Sequence, residues 1–202
     1  MKALLLIDIQ YDFLPNGALA VPSGDSIIPI VNNIQDRFDL VVATQDWHPK
    51  GHKSFASSHA GKQVFEQIEL QGLPQVLWPD HCVQGTSGAN LSDAVNWNRT
   101  EAIFRKGTSL EIDSYSGFYD NGHLKATGLS NYLKGRGVTD VYVAGLAADY
   151  CVYFTAKDAL HEGFNTFVIE DATKAISEDG FLQAKKDLQD KGGHIVQSSV
   201  LQ

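Results

Sequence analysis

The chain is poor in cysteine, poor in positive charge and free of long apolar runs. Its 202 residues hold two cysteines, Cys82 and Cys151. That is too few for a disulfide framework and fits a reducing, cytoplasmic setting, where a cysteine is catalytic, metal-bound or simply buried. The 16 basic residues are outnumbered by 24 acidic ones, a net charge of −8, which argues against nucleic acid as a partner. The apolar N-terminal run is cut off by Asp8, with no small-residue cleavage site close behind, so it reads as a strand rather than a signal peptide. No stretch is long enough to span a membrane. A P-loop phosphate motif is absent and no Gly-x-Gly-x-x-Gly follows the first apolar run, so no nucleotide cofactor is implied.

What is present is an ordinary globular composition, 43% hydrophobic and 20% charged, long enough for one large α/β domain over 1–202 that needs no covalent staples. Apolar runs rich in β-branched residues recur over 3–9, 40–44, 101–105, 138–146, 165–170 and 194–197. Continuous runs, rather than strict alternation, predict strands covered on both faces. Helical spacing is predicted over 26–38, 122–136, 151–162 and 181–191, with Gly135, Gly137 and Gly163 as stop signals. Alternating strand and helix predict a three-layer α/β/α sandwich around a parallel sheet of about six strands. Residues 46–99, rich in His, Gly, Ser, Trp and Pro, interrupt the alternation as an inserted loop region, and loops this long inside a compact domain are usually functional.

Asp8 closes the first apolar run and Cys151 opens a helix after the fourth. Both therefore fall at carboxyl ends of strands, where open α/β sheets bind ligands. Phe104-Arg105-Lys106-Gly107 ends the third run and brings a lysine to the same edge, able to favour a thiolate; a surface lysine after a strand fits these letters as well. Small residues in Gly145-Leu146-Ala147-Ala148-Asp149-Tyr150-Cys151 permit a sharp strand-to-helix turn whose N–H groups can form an oxyanion hole, and a buried structural cysteine is the competing reading. Asp46-Trp47-His48 places a carboxylate and an imidazole two apart on an extended segment, and His52 and His81 follow. Such donors suit Zn²⁺, Fe²⁺ or Mn²⁺, although loop histidines engaged in hydrogen bonds share the pattern. Cys82 reads better as a small buried hydrophobe than as a ligand. Phe13, Trp78 and Tyr115 fall in loops, where they either sandwich a flat ring or pack ordinarily.

In this order the motifs Leu6-Ile7-Asp8-Ile9-Gln10-Tyr11-Asp12-Phe13, Thr44-Gln45-Asp46-Trp47-His48-Pro49, Trp78-Pro79-Asp80-His81-Cys82-Val83, Phe104-Arg105-Lys106-Gly107, Tyr115-Ser116-Gly117-Phe118 and Gly145 to Val152 resemble the nicotinamidase branch of the isochorismatase-like cysteine hydrolases, across essentially the whole chain. The resemblance implies a catalytic triad of Asp8, Lys106 and Cys151, oxyanion donors at the N–H groups of Ala147 and Cys151, and a cis peptide bond at Leu146–Ala147. It implies one divalent metal, Zn²⁺ first and Fe²⁺ or Mn²⁺ next, on Asp46, His48 and His81, with His52 outside the ligand set or linked through water. It implies pocket aromatics Phe13, Trp78 and Tyr115, and hydrolysis of nicotinamide and pyrazinamide-like analogues to the acid and ammonia through a cysteine thioester, in NAD salvage. The partner is then a small molecule, with a homo-oligomer left open. Ala148 stands where many relatives carry Thr, which touches substrate preference rather than chemistry. Hydrolysis of another small amide and metal-centred hydrolysis with a non-catalytic cysteine are the rival readings.

Overall fold

The computed structural model describes residues 1–201; Gln202, the last residue of the expected domain, lies outside them. In chain order the elements are β1 (Lys2–Ile7), α1 (Ile28–Ile34), β2 (Leu40–Asp46), β3 (Gln67–Leu70), β4 (Leu73–Val76), β5 (Thr100–Lys106), α2 (Leu129–Gly135), β6 (Asp140–Leu146), α3 (Tyr153–His161), β7 (Asn165–Lys174), α4 (Glu178–Asp190) and β8 (His194–Val196). Six strands form one sheet in the order β5-β2-β1-β6-β7-β8, every pairing parallel. β3 and β4 form a separate antiparallel hairpin.

The apolar run of β1 explains its central place. Leu4 and Leu6 point into a core with Val31 and Ile34 of α1, while Ala3, Leu5 and Ile7 point into the opposite core with α2, α3 and α4. A strand buried on both faces needs apolar residues at consecutive positions, each full-sized one contributing about 2 kcal/mol on burial. The helices thus lie on both faces, with α1 alone on one. From β1 the chain moves outward through β2 to β5, then returns to the other side of β1 as β6. The crevice between the carboxyl ends of β1 and β6 is therefore the switch point of the sheet, where ligands bind. Gly145 lets β6 approach closely: it has φ +121°, and a Cβ there would lie 2.2 Å from the Ile7 carbonyl oxygen.

Several boundaries differ from the sequence pattern. Only Leu129–Gly135 of the helix expected over 122–136 is helical. Upstream, Asp120 accepts from the backbone N–H groups of Gly122 and Leu124, holding a turn that leaves Leu124 81% exposed. Local side-chain bonding of this kind competes with helix. The helix expected over 151–162 starts as a wide turn over Ala148–Val152 before α3. α4 begins earlier than the apolar pattern because Ser177 caps it through the Gly180 N–H. The β3–β4 hairpin lies inside the region read as loop. Among the described residues no helix is long and apolar enough to cross a membrane.

Candidate active site

Four adjacent strands each deliver one reactive side chain to the same sheet edge. Lys106 ends β5, Asp46 ends β2, Asp8 follows β1, and Cys151 lies in the turn after β6. Lys106 is 1% exposed. Its Nζ lies 2.9 Å from Asp8 Oδ2, 3.1 Å from Asp46 Oδ1 and 3.4 Å from Cys151 Sγ, and donates to the Ser114 carbonyl at 2.8 Å. The two buried carboxylates and the surrounding acceptors hold its ammonium well above the usual lysine range, overcoming burial, which acts the other way. Asp8 is fixed by Thr44, whose hydroxyl donates to Oδ1 at 2.6 Å and accepts from the Asp8 N–H at 3.2 Å. Burial raises the Asp8 carboxyl, with Lys106 opposing and Asp46 adding.

Cys151 departs from expectation in one respect. The sequence offers Lys106 as a group able to favour a thiolate. Instead burial pushes the thiol well above its ordinary value, and Asp8 and Asp46 add to that, outweighing Lys106. Burial thus opposes the thiolate, and a neighbouring base that takes the proton becomes part of activating this sulfur. The Leu146–Ala147 peptide bond is cis, as the resemblance implied.

Asp46, His48 and His81 offer ligand atoms within 4.8 Å of one another, all buried. His48 Nε2 is 2.9 Å and His81 Nε2 is 3.5 Å from Asp46 Oδ2. At the other ring nitrogen, His48 faces the Gly107 carbonyl at 3.0 Å and His81 the Pro79 carbonyl at 2.8 Å. Carbonyls only accept, so each Nδ1 carries the hydrogen and each Nε2 turns a lone pair toward the same carboxylate. Two imidazole lone pairs and a carboxylate converging on one point call for a cation between them, and the donor set fits Zn²⁺, Fe²⁺ or Mn²⁺. Burial acts to raise the Asp46 carboxyl, but His48 and Lys106 hold it well down, while Asp46 overcomes burial and raises the His48 imidazole; positive charge is favoured beside this carboxylate, whether as a proton on Nε2 or as a metal ion. Gly107 makes the approach possible: at φ +65°, a Cβ there would lie 2.5 Å from His48 Cε1 and 2.8 Å from Asp46 Oδ1.

His52 stacks near His48 with centroids 4.4 Å apart, but its nitrogens face Ser54 Oγ at 2.7 Å and the Ile112 carbonyl at 3.3 Å. Its place is beside the trio rather than in it. Phe13, Trp78 and Tyr115 line one small pocket together with Ala147 and Cys151. Cys82 is fully buried, and burial first, then Asp46, Asp8 and Asp12, raise its thiol well above the ordinary value; it packs as a small hydrophobe.

Sequence reasoning missed the residues that hold these groups in place. Gln10 clamps the Asp46 backbone, accepting from its N–H and donating to its carbonyl, both at 2.8 Å. Asp12 accepts from the Cys82 N–H at 2.7 Å and so fixes the His81 loop. Both continue the every-second-residue spacing from Asp8, a signal that was readable. Tyr150 packs edge-on against Trp78 at 4.8 Å and Tyr115 at 5.4 Å. Asp113 lines the pocket and, with His48 and His52, forms a second close group of donors; nothing in its sequence neighbourhood marks it.

Residues 2–199 match the isochorismatase domain. The chain is 51% identical over 181 residues to the nicotinamidase of Acinetobacter baylyi, covering 90% of this chain and 85% of that one. A solved nicotinamidase/pyrazinamidase of Acinetobacter baumanii superposes with a TM-score of 0.96 at 49% identity, covering 100% of this chain and 98% of that one. The pyrazinamidase of Pyrococcus horikoshii, solved in complex with zinc, gives 0.80 at 38% identity, covering 97% and 98%. With the family domain matched over nearly its whole length and these relatives beside it, the chain belongs to the isochorismatase family.

Proposed function

We propose that the protein is a nicotinamidase, hydrolysing nicotinamide to nicotinate and ammonia through a thioester on Cys151, and that residues 1–202 act as one domain in a cytoplasmic NAD salvage step. The observation that carries the reading is the convergence of Asp8, Lys106 and Cys151 beside the Asp46, His48 and His81 donors, under an aromatic pocket. The identities to named nicotinamidases support it.

Asp8 takes the Sγ proton as sulfur attacks the amide carbon, which suits a thiol that burial pushes up and a carboxylate raised above its ordinary value. Lys106 balances the negative charge shared between Asp8 and the sulfur. The N–H groups of Ala147 and Cys151 receive the oxyanion. Asp8 then hands the proton to the departing nitrogen, the C–N bond breaks and ammonia leaves a Cys151 thioester. Water, deprotonated by Asp8, adds to the thioester carbon; the C–S bond breaks, nicotinate leaves and Cys151 regains its proton. Asp46, His48 and His81 would hold the divalent ion, with zinc favoured by the zinc-bound relative. Bound there, it supplies a Lewis-acidic contact for the ring nitrogen and so orients the ring. Phe13, Trp78 and Tyr115 would flank the ring.

The test is ammonia release from nicotinamide by purified protein, beside Cys151→Ala and a chelator-treated sample. Release that vanishes in both supports the nucleophile and the metal together. Release from Cys151→Ala at the wild-type rate would favour metal-centred hydrolysis instead.

A further inference from the structure

We propose that Gln75, on β4 of the hairpin, is a positioning residue for the ring pocket, latching Tyr115 and through it Trp78 against the reaction centre. Gln75 is 3% exposed. Its Nε2 lies 2.7 Å from the Val76 carbonyl oxygen, 3.1 Å from Asp113 Oδ2 and 2.9 Å from Tyr115 Oη. A carbonyl and a carboxylate only accept, so the amide nitrogen, not its oxygen, has to face them. The amide has two hydrogens for these three acceptors, so Tyr115 Oη shares one of them with Asp113 Oδ2 in a three-centre bond, and it also receives the Trp78 indole N–H at 3.3 Å. Gln75, Asp113, Tyr115 and Trp78 thus form one buried network drawn from the hairpin and two loops. Three of the four line the pocket that holds Cys151; Gln75 does not, and acts on the pocket through them.

A latch matters because the pocket is tight. It holds about 20 Å³ of open space, room for water and not for an aromatic ring. Tyr115 also lines a second, open groove of about 460 Å³, walled by Leu73 and Pro74 of the hairpin and by Phe154 and Lys157 of α3. Of the pocket residues, Tyr115 alone borders both spaces, so it is the wall with room to move into. Tyr150 and Phe154 pack against its ring at 5.4 Å and 5.3 Å, leaving the hydroxyl end as the tether. How far the wall opens, and how firmly it closes on a ring, is then set by Gln75. Only the identity of the ring rests on the nicotinamidase reading; the tethering of Tyr115 does not.

Gln75→Met keeps the length of the side chain and removes its donors; Tyr115→Phe keeps the ring and removes the tethered oxygen, and stands in if the first variant folds poorly. The readout is the rate at which N-phenylmaleimide modifies Cys151, relative to iodoacetamide, with the adduct located by peptide mass. Either variant is expected to raise this ratio by about 10-fold, the effect of losing one buried hydrogen bond. The double variant should add little more, because both act on one contact. In parallel KM for nicotinamide should rise by about 10-fold in Gln75→Met, with bound metal unchanged. A ratio equal to wild type in both variants overturns the proposal. Wild-type protein that releases no ammonia while the ratio still rises would discard the nicotinamidase reading and leave the latch standing.

Discussion

Replacing Lys106 with methionine tests the electrostatic centre of the site. Met matches the length of the lysine stem and removes the cation that touches Asp8, Asp46 and Cys151 together, at 2.9, 3.1 and 3.4 Å. Asp8 and Asp46 are both buried, and stripping a partner from a buried charge costs about 3–5 kcal/mol. Lys106 is the main influence opposing the burial that raises Asp8, so without it the carboxyl rises further and its protonated form is favoured more. Asp8 then serves less well as base, a loss on the order of 10²–10⁴ in kcat. The assay is ammonia release across pH 5–9, with thermal melts in the same buffers. The acid limb of kcat/KM should move to higher pH. In the variant the Asp8 carboxyl is raised further above its unfolded value, so at this group the folded state binds more protons than the unfolded one and gains stability as pH falls. The gap in Tm to wild type should therefore narrow toward acid. A near wild-type kcat/KM at neutral pH with an unmoved acid limb would refute the reasoning.

Other outcomes follow from the same geometry. His48→Ala removes a ring held between Gly107 and Asp46; it should lower bound metal and raise KM for ring-nitrogen amides while leaving Cys151 alkylation intact, as read by metal analysis and steady-state kinetics. Gly107→Ala places a methyl within 2.5 Å of His48 and should lose metal affinity although no donor atom is removed. Glu162 accepts from Lys134 at 2.6 Å and from Ser130 and Tyr119, and these bonds hold its carboxyl down to about 2 from an ordinary 4.5. That stability is present above about pH 4.5 and lost as pH falls through about 2. Glu162→Gln should cost about 1–2 kcal/mol at neutral pH, discounted for solvent screening, and flatten the acid side of the stability curve.

Much of this site was legible because parallel sheets write their chemistry at strand ends. A continuous apolar run such as Leu4-Leu5-Leu6-Ile7 announces a strand buried on both faces, and the residue that breaks it, Asp8, is placed at the ligand edge by topology alone. The same holds for Asp46, Lys106 and Cys151. What stayed hidden depends on contacts between segments far apart in sequence. Gln75 sits on a short hairpin strand, Leu73-Pro74-Gln75-Val76, that shows no clean alternation, and it bonds to Asp113 and Tyr115 38 and 40 residues away. Nor does spacing reveal how deeply Cys151 is buried or that Lys106 serves two carboxylates: Lys106 does act to lower the Cys151 thiol as expected, but burial first, then Asp8 and Asp46, outweigh it. Gly122 to Thr127 misled through apolar spacing, where Asp120 ties the backbone into a turn.

The most direct test of the central claim is rapid acid quench of the protein turning over nicotinamide, with peptide mass spectrometry on Cys151. The expected result is a nicotinoyl adduct on Cys151, formed with a burst of ammonia no larger than the number of active sites and absent from Cys151→Ala. Steady ammonia release with Cys151 unmodified, and turnover surviving in Cys151→Ala, would contradict it.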